Sequence, residues 1–133
     1  MSDKVMVVPC SGIGKVMGLL ARETALQVTS RIAPDLTQTA CLGHLVTGEA
    51  DATAKVSGLP CLTVDGCTAY CAAVSVAAVG GIIREKYLIL DEMRLHRGKN
   101  AGDASNLTAD GWMMVDSLAE KIAINARSIA KEE

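Results

Sequence analysis

Cysteines 10, 41, 61, 67 and 71 give this 133-residue chain its widest chemical range. A thiolate can ligate a soft metal ion, attack an electrophile or exchange with a disulfide. Cys10 stands between Pro9 and the turn-forming Ser11-Gly12. Cys41 closes a weak β-like run, and Cys67 ends the triplet Asp65-Gly66-Cys67, with Cys71 four residues further on. Cys61 differs from these, because it lies inside the apolar run Pro60-Cys61-Leu62-Thr63-Val64, where a thiol is most simply a small core side chain. Four thiolates suit a tetrahedral zinc ion, and they suit an iron–sulfur cluster equally well. A single free thiolate, Cys10 foremost, would instead make an enzyme's nucleophile or leave an open metal position.

Whether these sulfurs can meet depends on the elements that carry them. Four apolar runs are predicted as strands: residues 5–9, the weaker 37–41, 60–64 and 87–90. Helical patterns separate them. One passes through Val16, Leu19, Leu20 and Leu26, and a second lies within 43–57 and is stopped by Gly58. An alanine-rich helix is predicted over 68–79, with Asp65 near its N-cap and Gly80-Gly81 at its end. A polar loop then follows over 94–106. The last helix, over about 109–130, aligns Val115, Leu118, Ile122 and Ile129 on one face. Strand and helix alternate four times without an internal repeat, so we expect a single α/β domain over 1–133. It is a three-layer α/β/α sandwich of the doubly wound (Rossmann-like or flavodoxin-like) type, with a four-stranded parallel sheet in the order 2-1-3-4.

That order makes the carboxyl ends of strands one and three neighbours at the point where strand order reverses, where such sheets bind ligands. Cys10, Cys41 and Cys67 then collect on one rim. Cys71 joins them if 67 and 71 occupy one helix face at i, i+4 spacing. The amino-terminal end of that helix carries partial positive charge that attracts sulfur anions.

Other functions fit poorly. Thirteen basic and fifteen acidic side chains give a net charge of −2, and the aromatic residues are two Tyr and one Trp with no Phe. A nucleic-acid binder would need a basic surface and stacking rings. The nearly uncharged stretch 71–83 is shorter than the roughly 20 residues of a membrane span. Met1-Ser2-Asp3-Lys4 runs straight into apolar sequence without a secretory leader, so a cytoplasmic protein is expected. Five cysteines in that compartment point to metal or thiol chemistry rather than disulfides.

The turn Gly12-Ile13-Gly14-Lys15 lacks what a phosphate-binding loop needs, since Pro9 replaces its first glycine and Val16 its Ser or Thr. Val16 also stands where a phosphatase-type loop would carry Arg. In place of the second sulfur of a deaminase's Pro-Cys-x-x-Cys stands Ile13. His44 is three residues beyond Cys41 and could supplement it, although packing or a surface role is the simpler reading. His96 lies in the basic loop 94–99, expected to border the same rim and to offset the charge of a metal tetrathiolate or face an anionic ligand. Trp112, Met113 and Met114 are expected to pack, or to offer a small apolar patch to a protein partner.

The segments Pro9-Cys10-Ser11-Gly12-Ile13-Gly14-Lys15, Cys41, Val64-Asp65-Gly66-Cys67 and Cys71-Ala72 occur in this order and resemble the DGC-motif family, named for its Asp-Gly-Cys triplet. The resemblance spans about residues 5–73. It implies a zinc-binding protein with Cys10, Cys41, Cys67 and Cys71 as ligands and Cys61 outside the set, and it implies no established activity.

Overall fold

In the computed structural model, which describes residues 4–10, 15–40, 42–66 and 68–132, four parallel strands form one sheet in the order β2-β1-β3-β4. The strands are β1 (Val5–Pro9), β2 (Thr37–Gln38), β3 (Pro60–Asp65) and β4 (Ile82–Leu88). The expected order and the α/β class are therefore those of the protein. Central strands with both faces covered are unbroken apolar runs. Val5, Met6, Val7 and Val8 of β1 are accordingly buried, as are Cys61, Leu62, Thr63 and Val64 of β3.

Helix α1 (Val16–Gln27) continues into a π-helical turn, Val28–Ile32. Short helices α2 (Leu42–Val46) and α3 (Ala50–Val56) replace the single helix expected there. Then come α4 (Cys71–Ala78), α5 (Ile89–Leu95) and α6 (Ala109–Ala130). On α6, Val115, Leu118, Ile122 and Ile129 are buried as their spacing predicts. Met114 packs, but Met113 and Trp112 are 56% and 43% exposed, so packing describes only one of the three.

Four boundaries differ from expectation. Strand β2 ends at Gln38, short of residue 41. Strand β4 is 82–88 rather than 87–90. Its middle is Arg84-Glu85-Lys86, charges that an edge strand tolerates because one side faces water. Residues Ile89 and Leu90, read as strand, instead open α5, and Leu88 leads directly into that helix. Helix α4 starts at Cys71, three residues later than expected.

The α5–α6 contact is organised by Glu92, a carboxylate only 3% exposed. Lys121 donates to Oε1 at 2.8 Å, and the His96 ring lies 3.0 Å from Oε2. Burial pushes this carboxyl up, but bonds from Lys121, His96 and Ser117 more than offset it and hold it below the usual glutamate value of 4.5. A depressed carboxyl stabilises the fold above its unfolded value, and that stability is lost as pH falls through the folded one. We expect urea midpoints of the native chain to fall more steeply below about pH 5 than those of Glu92→Gln, whose amide does not titrate. Parallel acid limbs in the two proteins would contradict this.

Among the described residues, no helix is long and apolar enough to cross a membrane.

Candidate metal centre

The site is assembled at the carboxyl ends of β1 and β3. The two strands pair with Met6 beside Cys61 and Pro9 beside Val64. The Cys10 backbone N–H extends this ladder to the Val64 carbonyl at 2.8 Å. Cys10 is thus held by the central strands and is only 7% exposed. Its sulfur accepts a hydrogen bond from the Gly66 N–H at 3.3 Å, from the middle residue of the Asp-Gly-Cys triplet. Position 66 is tightly packed on its Met17 side. A Cβ there would lie 3.1 Å from Met17 Cβ and 3.6 Å from the Cys10 sulfur.

Asp65 ends β3 and is 1% exposed. Its carboxylate accepts the N–H groups of Ala72 at 2.7 Å and Ala73 at 3.2 Å, in the first turn of α4. It therefore caps α4, as expected of an aspartate at this point, but it does so from the strand. The residue in the N-cap position is Tyr70, a left-handed residue (φ 52°) that makes no side-chain cap bond. Burial raises the Asp65 carboxyl above its usual value, opposed by the two amide bonds and by the positive charge of Lys86.

Cys71 is the first residue of α4 and is exposed. The expected sharing of one helix face by 67 and 71 falls on Cys67, which lies outside the described residues; the described helix opens at Cys71. A run of contacts links Cys10 to Cys71 instead: Cys10 sulfur to Gly66, adjacent Asp65 to Ala72, and Ala72 to its neighbour. Cys41, Cys67 and the turn 11–14 lie outside the described residues, as does the side chain of His44. Among the described residues, no three His, Cys, Asp or Glu side chains are grouped to hold an ion.

Cys61 sits mid-strand and fully buried, its sulfur 3.3 Å from the Leu59 carbonyl oxygen. Burial pushes its thiol up to about 11, against a smaller opposing effect of the Ile82 backbone. It is a protonated packing group at neutral pH. His96 stands at the carboxyl end of α5 with its ring on Glu92, not in the open basic loop the sequence suggested.

Lys86 on β4 lies against the residue before Cys71, its ammonium 5.0 Å from the Tyr70 ring centroid. Neither Lys86 nor Tyr70 was marked by a motif. With the fourth strand expected at 87–90, Lys86 lies before it, and only the structure puts it near the carboxyl end of β4.

The chain is thus an α/β domain with a parallel sheet, in which the buried Cys10 follows β1 and Gly66 follows Asp65, the last residue of β3. The DGC domain model matches residues 6–124, and the chain belongs to that family. No curated protein and no solved structure matches it.

Proposed function

We propose that this DGC domain binds one zinc ion through the thiolates of Cys10, Cys41, Cys67 and Cys71 at the carboxyl rim of the sheet. The observation that carries the reading is the Gly66 N–H on the Cys10 sulfur. It brings Gly66 of the Asp-Gly-Cys triplet against a cysteine 56 residues earlier in the chain, the kind of amide contact that supports metal-bound sulfur. The donor set fits zinc. Cys10 and Cys71 offer sulfur, while each Asp65 oxygen is engaged by an amide of α4.

Bound zinc would supply positive charge and a cross-link between the strand ends. Four sulfurs saturate it and leave no position for an activated water, so the role is binding rather than hydrolysis. Cys71 is exposed, which lets an incoming protein thiol reach the ion. That favours sensing, storage or delivery over a purely structural role. The fold has its own aliphatic core through β1, β3 and α6, so it does not depend on metal as a zinc finger does.

Anaerobically purified protein is expected to be colourless with one zinc per chain. A chelator should strip the metal and leave the helical circular dichroism in place. A brown protein absorbing near ~400 nm would mean an iron–sulfur cluster. Unfolding on chelation would mean a structural ion.

A further inference from the structure

A helix amino terminus is ordinarily capped by the residue just before it, whose short polar side chain accepts the second or third N–H. Here the cap of α4 comes from Asp65, seven residues before Ala72 and on the central strand β3. Tyr70, in the cap position, supplies no such bond. The start of α4 is therefore fixed to the end of the sheet rather than to its own preceding turn. Burying a carboxylate to do this is costly, and Tyr70, left-handed at φ 52°, is not in the extended geometry from which an N-cap residue bonds the helix. What the strand-borne cap adds is registration. Gly66, next to Asp65, holds the Cys10 sulfur at 3.3 Å, and Ala72, held by Asp65 at 2.7 Å, is next to Cys71. Lys86, from the neighbouring strand, adds a contact to the Tyr70 ring, next to Cys71, at 5.0 Å.

We propose that Asp65 is a positioning residue of the metal centre: it ligates nothing, and its double hydrogen bond to α4 sets Cys71 at the distance from Cys10 that one ion requires. The proposal rests on the zinc-site reading above. Metal–sulfur bonds near ~2.3 Å leave little tolerance, so a ligand on an unregistered helix end binds more weakly even when the fold survives.

The test is cobalt(II) titration of metal-stripped protein, reading affinity and the visible bands of tetrahedral thiolate coordination. Asp65→Asn keeps one acceptor oxygen in a side chain of the same shape, and Asp65→Ala keeps none. Relative to native protein, affinity should fall about tenfold in the first and about a hundredfold in the second, with the bands shifted and weakened. Thr108→Ala serves as the control for simple helix capping. Thr108 Oγ1 accepts the Gly111 N–H at 3.1 Å on α6, and its loss should lower the urea midpoint without altering cobalt affinity or spectrum.

Should Asp65→Ala fail to fold, Asp65→Asn decides. Native cobalt affinity and bands in a folded Asp65 variant would overturn the positioning role and leave the metal site standing. Failure of the native chain itself to bind cobalt would instead remove the metal-site reading, and this role with it.

Discussion

Serine in place of Cys10, Cys41, Cys67 or Cys71 should weaken zinc binding by about 10²–10³-fold in each case, whereas Cys61→Ser should leave both stoichiometry and affinity unchanged. A structural zinc site is worth about 10–16 kcal/mol in all, so one of four thiolates accounts for about a quarter of that. A serine hydroxyl is a poor substitute because it stays protonated and is a harder, weaker donor than sulfur. Cys61 separates ligation from general thiol content. Its sulfur is buried between strand and helices, hydrogen-bonded at the Leu59 carbonyl, and protonated at neutral pH. Cys61→Ser therefore acts on packing and should lower stability while metal content holds. Zinc quantified after gel filtration, with a competing chromophoric chelator for affinity, distinguishes the two groups. Equal loss from Cys61→Ser, or retention by Cys10→Ser, would break the assignment.

The second large effect concerns the loop that seats α6. Gly102 has φ +118°, and a Cβ there would lie 2.3 Å from the Asn106 carbonyl oxygen and 3.0 Å from Leu107 Cα, both backbone atoms. Gly102 and Leu107 form an antiparallel bridge, and the Thr108 N–H donates to the Ala101 carbonyl at 2.9 Å. The loop is thus closed on itself where the long helix begins, and the atoms a Cβ would meet are backbone, so no side chain can move aside. Gly102→Ala combines backbone strain with a clash, a cost of about 2–5 kcal/mol and a fall in Tm of about 10 °C. Gly98 isolates the strain. It too has positive φ (+79°), but a Cβ there meets nothing within 4 Å. Gly98→Ala should cost only about 1 kcal/mol. Equal losses for the two substitutions, measured by urea and thermal unfolding, would show that the backbone at 102 relaxes.

The parts of the fold legible in the sequence are those where one physical cause dominates. Residues 5–8 and 61–64 are unbroken apolar runs because they form the middle of the sheet, and α6 shows its buried stripe because it covers one face. The alternation of strand and helix implies the parallel sheet, whereas the order 2-1-3-4 is a choice among the few right-handed topologies, and it is the order of the protein. Strand β4 differs from the expected 87–90 because an edge strand tolerates Arg84, Glu85 and Lys86, which split its apolar residues into Ile82-Ile83 and Tyr87-Leu88. Helix α5 was missed because Ile89 and Leu90 look like strand while their partners lie far along the chain, Lys121 meeting Glu92 from α6.

The site was legible as residue types at strand ends, with Asp65 marked as a cap. That the cap works from the strand, with Tyr70 left-handed and Cys71 opening the helix, depends on tertiary contacts to Ala72, Ala73 and Lys86 that no local pattern encodes.

X-ray absorption at the zinc edge of the loaded protein tests the central claim most directly, because it counts the atoms around the ion. Four sulfurs at about 2.3 Å and no nitrogen or oxygen neighbour are the expected shell. A shell dominated by nitrogen or oxygen, or one with fewer than three sulfurs, would contradict a centre built from these cysteines.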